Sequence, residues 1–159
     1  ISTCEKAKNL VAAREYFEEM KGAGLEPDVI TYNVMISTCE KAQNLVAARE
    51  YFEEMKRAGL EPNVRTYNAM ISTCEKAENL VAAREYFEEM KGAGLQPNAI
   101  TYHAMISACE KAKNLEAARE LFEETKGSGL QPDVLTYTAM ISTGWPHVPP
   151  NGVTDRKFH

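Results

Sequence analysis

Apolar residues along the chain fall into short stripes of helical spacing, separated by polar or glycine-containing breaks. Within residues 29–63, Tyr32, Met35, Ile36 and Cys39 stand at i, i+3, i+4 and i+7, which predicts a helix over roughly Thr31 to Lys41. Gln43 and Asn44 interrupt the stripe. Asn44 is suited to cap a second helix, because its side-chain oxygen can accept from backbone N–H groups that have no partner in the first turn. That helix is expected to run to about Arg57, with Leu45, Ala48, Phe52 and Met55 on one face. Ala47 and Ala48 are small enough to let a neighbouring helix come close. Gly59 supplies the left-handed residue that ends the helix, Leu60 can fold back on the last turn, and Pro62 prevents continuation.

The two-helix unit then recurs. Pro27, Pro62, Pro97 and Pro132 are each 35 residues apart, as are Tyr32, Tyr67, Tyr102 and Tyr137, and Gly24, Gly59, Gly94 and Gly129. Three complete repeats occupy 29–63, 64–98 and 99–133, with the end of an earlier repeat at 1–28 and the start of a later one at 134–143. A single hairpin cannot bury its apolar stripe, but stacked copies bury it against each other. The expected fold is therefore all-α, an α-solenoid of about seven helices. Neither end carries a polar capping helix, so end-to-end self-association is expected. Residues 144–159 leave the repeat abruptly, and three prolines and two glycines there predict a disordered, non-repeat tail.

Composition narrows the function classes. No apolar run approaches the ~20 residues that span a bilayer. The net charge of -5 argues against non-specific nucleic-acid binding, which relies on a basic surface. Most of the acid is expected on the second helices. Cys4, Cys39, Cys74 and Cys109 recur evenly and read as small buried residues rather than metal ligands or a disulfide framework. The metal, nucleophile-elbow and phosphate-loop motifs are absent, and so are the His-x-Glu and Cys-x-x-Cys ligands of a zinc deaminase. The sequence therefore reads as non-catalytic, with no cofactor, no metal, no small-molecule substrate and no membrane partner.

The segments Val29-Ile-Thr-Tyr-Asn33, Glu40-Lys-Ala42, Ala48-Arg-Glu-Tyr-Phe-Glu-Glu-Met55 and Gly59-Leu-Glu-Pro62 resemble the pentatricopeptide-repeat consensus, and the resemblance covers residues 1–143. The tetratricopeptide repeat, with period 34 and a Trp/Leu/Gly/Tyr signature, fits neither feature. The resemblance implies a right-handed superhelix with first helices on the concave face and second helices on the convex one. It also implies binding of single-stranded RNA at about one base per repeat. In this family the residue after Thr-Tyr and the last residue of the same repeat read one base. Those positions here are Asn33 with Asn63, Asn68 with Asn98 and His103 with Asp133, together with Asp28 and Thr138 from the partial repeats. The resemblance assigns Ile30, Arg65, Ile100 and Leu135 to sandwiching the base, and Lys6, Lys41, Lys76 and Lys111 to meeting phosphate. The alternative for these lysines is a solvated pair with the glutamate that precedes each. The implied site is pyrimidine, pyrimidine, an unassigned base, then purine. The expected function is a sequence-selective RNA-binding adaptor in RNA processing or stability, placed by the resemblance in a mitochondrion or chloroplast. A protein-interaction scaffold with a peptide groove is the alternative that the negative charge favours.

Overall fold

The computed structural model describes residues 3–144, with side chains from residue 8 onward. Among the described residues there are eight helices and no strand: α1 (Thr3–Gly22), α2 (Val29–Lys41), α3 (Leu45–Arg57), α4 (Val64–Lys76), α5 (Leu80–Gly92), α6 (Ala99–Lys111), α7 (Leu115–Gly127) and α8 (Val134–Thr143). The count exceeds seven because each partial repeat contributes one helix. The expected tail lies outside the described residues beyond Gly144, the left-handed residue that ends α8. No described helix is long and apolar enough to cross a membrane.

Both breaks in each repeat are built the same way. At the end of α3, the Leu60 N–H reaches the Met55 carbonyl and the Gly59 N–H reaches Lys56, both at 3.0 Å, with Gly59 at φ 84°. This is the Schellman arrangement expected from Gly59 and Leu60. The end of α2 repeats it without a glycine: the Asn44 N–H bonds the Cys39 carbonyl at 2.9 Å while Gln43 sits at φ 55°. Glu78 and Lys113 hold the same conformation, at φ 55° and 58°. An L-residue there costs about 1–2 kcal/mol, so packing of the two flanking stripes must hold the turn. The equivalent residue in α1 is Lys8, and α1 runs straight through it.

Glu78→Gly should relieve this strain, partly offset by the greater freedom of glycine in the unfolded chain. The expected net gain is about 0.5–1 kcal/mol, read from urea unfolding. An unchanged or lower stability would mean that the left-handed turn is not strained.

Packing gives the array its curvature. Along the stack, α2, α4, α6 and α8 pack backbone to backbone, whereas α3, α5 and α7 do not meet at backbone distance. Side-chain size explains the asymmetry. Thr66, Ala69 and Thr73 of α4, and Thr101, Ala104 and Ala108 of α6, are buried between first helices. Second helices instead meet through aromatic rings: Phe52 of α3 takes Tyr86 of α5 edge-on at 5.2 Å. Small residues on one side and large ones on the other place the first helices at the smaller radius. Val34 marks what stacking does, since it is 58% exposed on α2 whereas Ala69, its counterpart on α4, is 8% exposed.

The predicted stripes are the core. Tyr32, Met35, Ile36 and Cys39 are buried, as are Ala48, Phe52 and Met55, with Leu45 packed partly against them. Each buried first-helix tyrosine keeps its hydroxyl satisfied across the hairpin. Tyr32, Tyr67 and Tyr102 donate to Glu54, Glu89 and Glu124 at 2.8–2.9 Å. The same carboxylates accept Lys21, Lys56 and Lys91 from the preceding second helix at 3.2–3.4 Å. These lysines also lie over the rings of Phe17, Phe52 and Phe87, within 4.8 Å of each centroid.

Candidate nucleic-acid interface

The inner row of first helices presents a repeated polar cluster at each joint. Asn33 lies one turn into α2, and Asn63 caps α4. They are 30 residues apart in sequence, yet Asn33 Nδ2 donates to Asn63 Oδ1 at 3.2 Å. The next joint is the same, with Asn68 Nδ2 donating to Asn98 Oδ1 at 3.1 Å. The two residues that the sequence pairs by resemblance are thus adjacent in space. They meet between successive repeats, at the N-terminal ends of stacked helices.

A third residue fixes their orientation. The Thr66 hydroxyl donates to Asn33 Oδ1, and the Thr101 hydroxyl to Asn68 Oδ1. Asn63 Oδ1 also accepts the Thr66 N–H at 3.1 Å, and the Thr66 hydroxyl accepts the Asn63 N–H at 3.0 Å, closing a capping box. With the Thr66 N–H and an Asn33 Nδ2 hydrogen, both lone pairs of Asn63 Oδ1 are used. Its Nδ2 is left to face outward. Asn33 keeps one Nδ2 hydrogen and one Oδ1 lone pair. The outward edge of the pair is therefore richer in donors than in acceptors.

Two features of this cluster are absent from the sequence reading above. Asp28, Asn63, Asn98 and Asp133 are all N-caps. The recurring threonine, there only a landmark of the repeat, completes each cap. The spacing Asp/Asn-x-x-Thr at 28–31, 63–66, 98–101 and 133–136 was the available signal. Asp and Asn are both strong caps, so their interchange at these positions satisfies a structural need as well as any recognition role.

The remaining base-reading positions differ. Asp28 and Asp133 accept from the backbone and hydroxyl of Thr31 and Thr136, and these bonds hold both carboxyls below their usual range. His103 is half-buried beside Asp133, and its charge lowers that carboxyl further. Thr138 is exposed, and its hydroxyl donates to the Val134 carbonyl one turn back at 2.6 Å, which leaves its lone pairs outward. Ile30, Arg65, Ile100 and Leu135 all project into solvent next to the clusters.

Two of the first-helix lysines pair across the joint between repeats. Lys76 bonds Glu40 at 2.7 Å and Lys111 bonds Glu75, so each pairs with the neighbouring repeat rather than with the glutamate that precedes it. Stacking brings residues 36 apart together, while adjacent residues on a helix point apart. Lys41 is exposed, and the side chain of Lys6 lies outside the described residues. On the outer side, α3 is neutral, whereas α5 and α7 carry the excess acid of the second helices. Arg65 makes α4 net positive. Cys39, Cys74 and Cys109 are buried, and burial pushes each thiol up to about 11, so they are inert core residues. Cys4 falls outside the described side chains.

Two family models match the chain. The pentatricopeptide repeat domain matches residues 1–42 and 17–77, and the PPR repeat family matches 62–111 and 100–143. No curated protein matches it significantly. Among solved structures, the fold is similar to the pentatricopeptide repeat protein PPR10 in complex with an 18-nt psaJ RNA element, with a TM-score of 0.77, 29% identity, and coverage of 87% of this chain and 20% of that one. PPR10 from maize gives a TM-score of 0.72 at 29% identity, over 86% of this chain and 19% of that one. The PPR domain of Arabidopsis thaliana protein-only RNase P 1 in complex with tRNA gives 0.76 at 19% identity, over 89% and 75%. This last likeness, at low identity, concerns the fold alone. The chain spans about a fifth of the length of PPR10.

Proposed function

The chain belongs to the pentatricopeptide-repeat family, and from that premise we propose that it is a non-catalytic adaptor that binds single-stranded RNA along its inner row of first helices, acting in RNA processing or stability in a mitochondrion or chloroplast. The observation that carries this reading is the Asn33–Asn63 and Asn68–Asn98 pairing, repeated once per joint with a threonine fixing each amide. The RNA complex of PPR10, a protein with the same repeat fold, supports it.

The donor-rich edge of each Asn pair suits a pyrimidine. The Watson–Crick edges of cytosine and uracil each offer two acceptors and one donor, so they complement amides whose oxygens are already engaged. Ile30, Arg65, Ile100 and Leu135 are exposed in the first turns of their helices and would sandwich the bases, with Arg65 adding a guanidinium face for stacking. Phosphate contact by Lys76 or Lys111 requires exchange with Glu40 or Glu75, which keeps the electrostatic contribution small. Binding is then weak, with a shallow salt dependence. The open faces at α2 and α8, where Val34 and Ile141 are exposed, also favour end-to-end association of copies at high concentration.

The test is an NMR titration at low salt with a short pyrimidine-rich RNA. The side-chain amide signals of Asn33, Asn63, Asn68 and Asn98 should shift together and saturate, and added salt should weaken the effect only mildly. If these signals stay still while the chain captures a peptide ligand, the array is a protein scaffold instead.

A further inference from the structure

The third inner joint departs from the first two at both of its reading positions. His103 stands on α6 where α2 and α4 carry Asn33 and Asn68, and Asp133 caps α8 where Asn63 and Asn98 cap α4 and α6. The exchange changes the chemistry of the edge. The Thr136 hydroxyl has no amide oxygen across the joint, so it donates to Asp133 Oδ1 at 2.9 Å, and the Thr136 N–H donates to the same oxygen at 2.9 Å. These two bonds fill the lone pairs of Oδ1. Asp133 Oδ2 then takes the place where Asn63 and Asn98 turn Nδ2 outward, so the free group of the cap changes from a donor to an acceptor.

His103 is half-buried, and Asp133 is the charged group across the joint from it. The imidazole charge is among the causes that hold this carboxyl below its usual range. Among the described residues, the other elements packed on α6 present their charges elsewhere. α4 meets α6 through Asn68, which takes the Thr101 hydroxyl. α5 and α7 lie against Tyr102, with the Phe87 ring at 5.7 Å and Glu124 accepting the phenol at 2.9 Å. Successive residues of a helix are turned by about 100°, so Glu124 faces the tyrosine and not the imidazole. The flanking Ile100 and Leu135 are apolar. Lys111 and Glu75 pair with each other about two turns further along α6.

We propose that His103 makes the third joint a proton-linked reader, which selects guanine when the imidazole is neutral and loses that selectivity when it is charged. This role rests on the RNA-binding reading of the inner row. Histidine ordinarily titrates at about 6.5, so both states are reached near neutral pH. A carboxylate beside an imidazole takes the proton-bearing nitrogen and so sets the tautomer. Here Asp133 draws the N–H, and the second ring nitrogen meets the base. In the neutral ring that nitrogen offers a lone pair beside Asp133 Oδ2, giving two adjacent acceptors. Guanine alone of the four RNA bases carries two adjacent donors on its Watson–Crick edge, N1–H and the 2-amino group. In the charged ring the same nitrogen donates. The edge then sets one donor beside one acceptor, a pattern that every base can meet.

The probes are two short RNAs with pyrimidines at the first two positions and a purine at the fourth, differing only in guanine or uracil at the third. Affinities are measured with the full chain at about pH 8 and about pH 5.5, on either side of the histidine range. Guanine should be preferred about tenfold at the higher pH, the worth of one hydrogen bond, and the two RNAs should bind alike at the lower. His103→Asn should give the same ratio at both pH values. In the free chain it should also let the Asp133 carboxyl titrate at a higher pH, a readout that needs no RNA. Asp133→Asn keeps the cap, since asparagine caps as well as aspartate, and should abolish the guanine preference throughout. A ratio indifferent to pH in the unaltered chain, a ratio that still follows pH in His103→Asn, or an unmoved Asp133 titration in that variant would overturn the assignment. The side-chain amides of Asn33, Asn63, Asn68 and Asn98 separate this failure from a wider one. If they shift on RNA binding while the ratio ignores pH, only the role of His103 falls. If they stay still with both RNAs, the RNA-binding reading falls and this role with it.

Discussion

Phe52→Ala should destabilise the array by about 3–5 kcal/mol, the range for removing a fully buried phenylalanine. Phe52 is inaccessible to solvent and is the hub of its joint. Its ring takes Tyr67 edge-on from the next first helix and Tyr86 from the next second helix, and Lys56 lies over it at 4.8 Å. The alanine variant loses the burial, two edge-to-face contacts and the platform that holds Lys56 against Glu89 at 3.3 Å. Because each repeat touches only its neighbours, the damage should be local before it is global. Hydrogen exchange should rise first in α3, α4 and α5, and the urea midpoint should fall. The same substitution at Phe122 should cost less, since among the described residues its ring meets one other, Tyr137. Equal losses at 52 and 122 would contradict the hub role.

The second large effect concerns recognition. Asn68→Thr should move the base preferred at the second joint from pyrimidine towards purine, by about tenfold in relative affinity, or about 1.4 kcal/mol. The physical reason is visible at Thr138, whose hydroxyl donates to the helix carbonyl at Val134 and so turns its lone pairs outward. Threonine at 68 should do likewise towards Val64. It thereby replaces a donor-rich edge with an accepting one that suits a purine amino group. The fold should survive. The Thr101 hydroxyl loses Asn68 Oδ1 but already lies 3.0 Å from Asn98 Oδ1, whose lone pair is freed by the same change. A stability cost of about 0.5–1 kcal/mol is expected. Selection from a random RNA pool, before and after the substitution, should change the base at the second position and leave the first unchanged. An identical selected motif would remove the base-reading role from Asn68.

The sequence by itself determined the period, the helices and their ends. The 35-residue step of Pro, Tyr and Gly, the i, i+3, i+4, i+7 stripes, Asn44 as a cap and Gly59 as a stop are local physics, and the structure repeats them in each of the three complete repeats. The candidate site was legible only in part. Asn33 and Asn63 could be named because the copies differ there and the family pattern points to them, but nothing in the chain places them 3.2 Å apart. Contacts between repeats were decided by tertiary structure alone. Lys76 chooses Glu40 over Glu75 because stacking aligns residues 36 apart, and no helical periodicity within one repeat contains that distance. The left-handed turn at Gln43, Glu78 and Lys113 is likewise opposed by local preference. Packing of the apolar stripes on both sides of the turn holds it in place.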